Sequence, residues 1–285
     1  MMIGQRELLN RIGSQIGKNK FPRFSILIGE TGSGKKELAK NIGRMSGIGV
    51  WLAPDTKVDT IRGIIETSYK AELPVIYVIP ECDNLSTAAA NALLKVTEES
   101  PHNAYFILTC ENEENLLSTI RSRGVTYMLE PYTYEDKCDY IDYQGSKNQR
   151  YLFEEDEEFV LEVASNIGEV ELFMSAHDEY ADAIPEFKKF VNLVIDNIAD
   201  VSDSNSFKIG DRLALKDETD KYNLKLFWKS FNALCVNRMT TAEDPLKYAR
   251  AIAITGDMLQ QLNIRGINKQ MLFDQWVIQI REEWQ

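Results

Sequence analysis

Residues 24–45 constrain the fold more than any other part of the sequence. An apolar run, FSILI, is followed by the glycine-rich segment GETGSGKK (29–36) and then by the apolar stripe of a helix. The glycine-rich segment reads Gly29, four residues, Gly34 and Lys35, which is the spacing of a phosphate-binding loop. In such a loop the backbone N–H groups, the start of the helix and the lysine surround phosphate oxygens. The segment therefore predicts an α/β domain that binds a nucleotide phosphate.

Both side chains that would hold Mg²⁺ in such a site are missing. The residue after Lys35 should carry a hydroxyl, but it is Lys36. The strand VIYVI should end in an Asp, but Pro80 stands there, followed by Glu81 in the position of the base that activates water. Metal stabilises phosphoryl transfer by several kcal/mol, so we expect weak or absent hydrolysis. The alternative is that Lys36 turns to solvent and the phosphates alone hold the metal.

Nucleotide binding itself is less constrained, because the loop backbone and Lys35 remain. We expect weak binding of ATP or ADP, with Mg²⁺ not held by protein side chains. The loop residues predicted to contact the nucleotide are Gly29, Glu30, Thr31, Gly32, Ser33, Gly34, Lys35 and Lys36.

Charge and cysteine usage exclude several classes of protein. The net charge is −12, so general attraction to nucleic acid is excluded and any DNA contact needs a local basic patch. The four cysteines form no C-x-x-C pair, which argues against zinc and fits reduced thiols. The apolar runs are too short to span a bilayer and no signal peptide is evident at the N-terminus. We therefore expect a cytoplasmic protein.

The order of strand and helix signals predicts the domain organisation. Near-continuous apolar runs joined by helical patterns indicate a parallel sheet covered on both faces. The five predicted strands are 24–28, 49–53, 75–79, 104–109 and 125–129, with helices at 59–70 and 86–98 and Ser86 as a helix N-cap. Strand signals stop after Pro131, which predicts a core domain (1–130), a small helical domain (131–183) and a helical bundle (184–285).

The helices of the two C-terminal domains are predicted from apolar stripes and from the residues that end them. Val160, Val163, Ala164 and Ile167 form one stripe, which Gly168 is expected to close. Further helices are predicted at 169–180, from Pro185, and at 220–239, 245–264 and 268–284, with a polar loop at 201–211.

Three segments of the sequence carry a resemblance to a known family. They are IGQRELLNRI (3–12), VDTIRGIIE (58–66) and AAANALLKVTEESPHNAYFILTCENEENLLSTIRSR (88–123). They resemble clamp-loader subunits of the AAA+ class, closest to the delta-prime type of bacterial DNA polymerase III, in a bacterial or phage version. The resemblance implies a P-loop AAA+ core, a helical lid over 131–183 and a helical collar over 184–285. It also implies a role in DNA replication, in the cytoplasm of a bacterial cell or a phage-infected host.

The resemblance assigns roles to individual residues. Arg123, in Ser122-Arg123-Gly124, takes the place of the Arg in the family's Ser-Arg-Cys, an arginine finger that reaches the γ-phosphate bound by a neighbouring subunit. Thr109 falls at the first sensor position, where the open alternative is an ordinary buried strand Thr. Glu81 becomes a vestigial catalytic base.

Gly124 departs from the Cys of the family's motif without touching the guanidinium, and two further features also depart from the family. Glu171 stands where the family's Gly-x-x-Arg has its Arg, and the family's cysteine-rich zinc module is absent. A carboxylate at that position would oppose phosphate. Together with Lys36 and Pro80 it favours a subunit without independent ATPase activity.

The implied partners are other AAA+ clamp-loader subunits, the sliding clamp, and primer-template DNA through the assembled complex. Lys57, Arg62 and Lys95 lie on or beside the helices that would face DNA, although each is an ordinary solvated residue in the alternative interpretation. Two rival functions stay open. One is an AAA+ ATPase that hydrolyses ATP in its own loop, and the other is a DNA-binding or recombination factor that loads no clamp.

Overall fold

The computed structural model describes residues 2–200, 223–262, 264 and 266–284. The loop predicted at 201–211 and the first residues of the helix predicted at 220–239 lie outside these residues. The chain divides into two compact units, the first comprising Met1–Tyr140 with Asn166–Gly168 and the second Ile141–Ser165 with Glu169–Gln285. The finer division of the helical part into lid and bundle stays a prediction.

The first unit contains a five-stranded parallel sheet formed by β1 (Phe24–Ile28), β2 (Gly49–Leu52), β3 (Val75–Ile79), β4 (Ala104–Cys110) and β5 (Val125–Met128). The strands lie in the order β2-β3-β4-β1-β5. The three central strands, β3, β4 and β1, are buried on both faces because their near-continuous apolar runs face two separate layers of helix. The edge strands β2 and β5 are largely exposed. Ile26 packs into one layer and Leu27, its neighbour on β1, into the other.

The helices around the sheet agree with the sequence patterns. Ser86 caps a helix as predicted, because its hydroxyl accepts a hydrogen bond of 3.2 Å from the N–H of Ala89. The helices that begin within residues 1–140 are α1 (Arg6–Gly17), α2 (Lys35–Ser46), α3 (Val58–Tyr69), α4 (Thr87–Glu98), α5 (Ser118–Arg121) and α6 (Tyr134–Asn148). The parallel sheet with its P-loop and flanking helices is the predicted fold class, and the fold class is confirmed.

The second unit is helical and has an aromatic core. Phe227, Phe231 and Trp276 are completely buried, and the ring centroids of Phe231 and Trp276 lie 5.0 Å apart. The indole N–H of Trp276 donates to the Thr255 hydroxyl at 2.8 Å, which satisfies its one polar group. The described helices are α7 (Glu154–Val163), α8 (Ile167–Glu179), α9 (Ala183–Asn197), α10 (Leu224–Met239), α11 (Pro245–Gln261) and α12 (Lys269–Trp284).

The prediction that one helix continues to Ile167 and is closed by Gly168 is wrong. Helix α7 ends at Val163, and Ala164 has extended backbone angles (φ −72°, ψ 124°). Gly168 lies in the first turn of the next helix, α8. The apolar stripe predicted one helix because Ala164 and Ile167 keep a helical spacing across a break in the backbone. Gly168 packs closely against Gly32 and does not end a helix.

Within the described residues, none of the helices combines the length and the apolar character needed to cross a membrane.

Candidate functional site

The glycine-rich loop connects β1 to α2 and opens a cavity of about 340 Å³. Gly32 (φ 84°) and Gly34 (φ 87°) have left-handed backbone angles, which side chains with a Cβ rarely adopt. The chain can therefore turn sharply into the helix that starts at Lys35. The residues that line the cavity are Thr31, Gly32, Gly34, Lys35, Lys36, Glu37, Lys40, Glu81, Asp83, Thr109, Cys110 and Glu111. Most of the predicted nucleotide residues are thus brought together; Gly29, Glu30 and Ser33 belong to the loop without lining the cavity.

The ammonium of Lys35 bonds to the loop itself. It donates to the carbonyl oxygens of Gly29 at 2.5 Å and Glu30 at 2.8 Å. Burial lowers the pKa of Lys35 from its ordinary value, opposed by the negative charges of Glu111 and Asp83. An anion in the cavity would stabilise the charged form of this side chain.

Lys36 points to the acidic side of the cavity. Its ammonium lies 3.2 Å from a carboxylate oxygen of Glu81, and the two side chains are 48% and 66% exposed. Pro80, which precedes Glu81, offers no carboxylate. An ammonium and a proline at the two positions that should ligate a metal do not fit Mg²⁺. Among the described residues no group of three or more His, Cys, Asp or Glu side chains could hold a metal ion.

Thr109 holds the backbone that presents Glu81. The Thr109 hydroxyl is buried at the end of β4 and accepts a hydrogen bond of 3.2 Å from the N–H of Glu81. Glu81 has φ 52°, which is uncommon for a residue with a side chain. Thr109 therefore has a structural partner and also lines the cavity, so its role as a sensor of phosphate stays a prediction.

Two carboxylates at this site were missed in the sequence. Asp83 accepts hydrogen bonds from the N–H groups of Glu111 at 2.9 Å and Asn112 at 3.0 Å, and Glu111 accepts one from the Thr31 hydroxyl. Both acids follow the carboxyl ends of parallel strands, where ligand sites of α/β sheets lie. Their position just after the strand ends was the signal in the sequence that could have identified both acids. Asp83 and Glu111 therefore add negative charge to a cavity that is also lined by Lys35, Lys36 and Lys40.

A distant segment supports the loop from behind. The Asn166 side chain donates to the carbonyl of Thr31 at 3.1 Å, and the N–H of Gly168 donates to the carbonyl of Gly32 at 3.0 Å. A Cβ added to Gly168 would lie 2.4 Å from the Cα of Gly32, so the two backbones are in direct contact. The glycine of the Gly-x-x-Arg comparison was the signal for this contact, although it was interpreted as a helix end.

Tyr132 provides another support for the same loop. Its hydroxyl donates to the Ser33 carbonyl at 2.9 Å, and burial raises the pKa of Tyr132 to about 12, so the hydroxyl stays a donor at neutral pH. Nothing in the local sequence pattern distinguished this tyrosine.

Arg123 lies outside the set of residues that line the cavity and is held at the surface of the first unit. Its guanidinium donates to the carbonyl of Thr119 and to a carboxylate oxygen of Glu98, each at 2.9 Å. The side chain remains 36% exposed. A planar donor group fixed by two partners keeps further N–H groups available for an oxyanion.

The three candidate DNA contacts are exposed on neighbouring helices. Lys57 immediately precedes α3, Arg62 lies on α3, and Lys95 lies on α4. The ammonium of Lys95 lies 5.4 Å from the centre of the Tyr69 ring, a cation–π distance. Contact with DNA by these residues stays a prediction.

In the second unit, Glu171 is neutralised by a neighbour. Both its carboxylate oxygens accept hydrogen bonds from Arg150, at 2.9 and 3.1 Å, and Arg150 also pairs with Asp178 at 2.6 Å. The carboxylate that replaces the family's Arg is therefore part of an ion-pair network.

Comparison with known proteins identifies the relatives of the chain. The model of the family "DNA polymerase III, delta subunit" matches residues 54–133, the segment that includes Glu81, Thr109 and Arg123. A delta' subunit of DNA polymerase III from Yersinia pestis is 40% identical over 76 residues, which cover 25% of this chain and 22% of that protein. A gamma subunit from Buchnera aphidicola is 28% identical over 171 residues, 49% of this chain and 47% of that protein. Over these segments the chain is similar to subunits of the DNA polymerase III clamp loader. The resemblance seen in the sequence is confirmed.

Solved structures of other proteins share the fold of this chain over most of its length. A DNA polymerase III gamma subunit-related protein from Thermotoga maritima has a TM-score of 0.57 at 16% identity and covers 97% of this chain and 99% of that one. The RuvB Holliday junction branch migration motor of the same organism has a TM-score of 0.52 at 17% identity, with 79% and 87% covered. The first curated relatives, in contrast, are matched over less than half of their own length.

Proposed function

We propose that the chain is a clamp-loader subunit in DNA replication that does not hydrolyse ATP by itself and lends Arg123 to the ATP site of a neighbouring AAA+ subunit. The observation that carries the proposal is the Lys36–Glu81 ion pair of 3.2 Å, in which position 36 carries an ammonium instead of the hydroxyl that a competent site uses to hold its metal. A site without metal ligands loses the stabilisation of developing charge on the transferring phosphoryl group.

The position of Arg123 supports action on another subunit. The side chain is partly exposed and is not among the residues that line the cavity of its own chain. Its two partners, Glu98 and Thr119, hold the guanidinium in one orientation, which lowers the entropy lost when it binds phosphate. An arginine supplied across an interface in this way accelerates phosphoryl transfer by ~10³–10⁵.

The proposed partners are other AAA+ clamp-loader subunits, a sliding clamp and primer-template DNA in the assembled complex. Residues 184–285 would form the collar that holds the subunits together. Because the chain carries a net charge of −12, contact with DNA would depend on the local basic group of Lys57, Arg62 and Lys95.

The ATPase activity of the purified chain tests whether it acts alone. We expect no magnesium-dependent ATP turnover above that of the Lys35→Ala variant, because neither protein can hold the metal with its side chains. Phosphate release measured on both proteins at equal concentration makes the comparison. Turnover that is brisk in the parent and lost in Lys35→Ala would instead make the chain a self-hydrolysing AAA+ ATPase.

Purification of the chain from cells tests its place in a complex. We expect a ring-shaped sliding clamp and a second AAA+ subunit to co-purify with it and to be identifiable by mass spectrometry. A preparation that binds branched or duplex DNA but contains neither of these proteins would favour a DNA-binding or recombination factor.

A further inference from the structure

Of the three lysines that line the cavity, two are consecutive residues at the end of the glycine-rich loop. Lys35 bonds to the carbonyls of Gly29 and Glu30, and Lys36, the next residue, reaches Glu81 at 3.2 Å. Sites with this loop ordinarily place a hydroxyl and a magnesium ion at the second of these positions. Here the second positive charge belongs to the chain itself.

The acids around the cavity mostly have other partners, so they do not need to move when an anion enters. Glu37 pairs with Arg44 at 2.9 Å, Asp83 accepts two backbone N–H groups, and Glu111 accepts the Thr31 hydroxyl. The bond that must open is the Lys36–Glu81 pair. Both of its side chains are substantially exposed, and an exposed ion pair of this kind is weak.

We infer that the loop is a metal-independent polyphosphate site, in which Lys36 leaves Glu81 and takes the place of Mg²⁺ against the phosphates of a nucleoside di- or triphosphate. This deepens the proposed function, since it rests on the same loss of magnesium chemistry. Lys35 would change partners in the same step, from loop carbonyls to phosphate oxygens, and burial of its ammonium makes that exchange favourable.

Magnesium should oppose binding at such a site. A nucleotide that carries Mg²⁺ has two fewer negative charges to offer to Lys35 and Lys36. The metal between its phosphates would also face the Lys36 ammonium, and like charges repel. The free nucleotide is therefore the preferred ligand, which is the opposite of the usual order for a phosphate-binding loop.

A titration of the purified chain with a fluorescent ATP analogue tests this inference. We expect binding about tenfold tighter in EDTA than in excess Mg²⁺, the size of one lost charge-assisted hydrogen bond. Lys36→Thr should remove the preference for the metal-free ligand, and adding Pro80→Asp to it should make binding tighter with Mg²⁺. Lys70→Thr, the same change at an exposed lysine that does not line the cavity, should keep the parent's preference.

The outcomes that overturn the inference are distinct from those that overturn the proposed function. Equal or tighter binding with Mg²⁺ in the parent, or no binding in either buffer, overturns the metal-independent site and leaves the role of Arg123 intact.

Competition of the bound analogue with inorganic tripolyphosphate and with ATP shows whether the site recognises phosphates alone or a nucleotide. Displacement at equal concentrations means that only the phosphates are recognised, whereas a preference for ATP means that the nucleoside also contributes.

Discussion

Replacing Arg123 with Ala should cut the ATPase activity of the assembled complex by ~10³-fold while leaving assembly unchanged. The guanidinium is held by Glu98 and Thr119, so the variant removes a positioned cation and disturbs no buried side chain. The effect should fall on kcat, because the arginine acts on charge that develops as the phosphoryl group transfers. Steady-state hydrolysis by the complex, with size-exclusion chromatography to verify assembly, measures both quantities.

Two further variants show whether the arginine acts as a finger. Arg123→Lys keeps the positive charge but loses the planar fork, so we expect it to recover only a minor part of the activity. Arg121→Ala removes a neighbouring arginine of α5 that forms no ion pair or side-chain hydrogen bond within the part of the chain that the structure describes, and it should leave the activity within about twofold of the parent. Full activity in Arg123→Ala, in a complex with normal composition, would refute the proposed role.

Replacing Gly168 with Ala should destabilise the first unit by about 3 kcal/mol, the range of an overpacked core position. The new Cβ would lie 2.4 Å from the Cα and 2.9 Å from the carbonyl oxygen of Gly32. Both atoms are backbone, so no side-chain rotation relieves the clash and the loop must shift. Urea unfolding followed by circular dichroism would give the loss, and nucleotide-analogue titration would report the displaced loop.

Gly63→Ala is the matched control for this change. Gly63 also lies on a helix, α3, but a Cβ there would meet nothing within 4 Å. Because alanine favours helix, this variant should gain about 0.5–1 kcal/mol. Equal unfolding free energies for the two variants would contradict the close contact between Gly168 and Gly32.

The elements around the site could be predicted because their signals are local. The strand β1, the glycine spacing and the start of α2 at Lys35 follow from contiguous residues, whose apolar runs and left-handed glycines restrict the backbone directly. The helix break at Ala164 could not be predicted in the same way, because the apolar spacing continues across it. After the break, Asn166 and Gly168 donate hydrogen bonds to the loop carbonyls of Thr31 and Gly32, a contact that apolar spacing does not reveal.

Local pattern alone was enough to establish the parallel sheet, the phosphate-binding loop and the absence of metal-holding side chains at Lys36 and Pro80. Tertiary structure alone decided which residues of the site meet. Lys36 pairs with Glu81, Arg123 pairs with Glu98, and Gly32 contacts Gly168. The physical reason is the range of the interactions. Backbone preference and apolar periodicity act within a few residues, whereas ion pairs and close packing depend on where separate strand ends and helices come together.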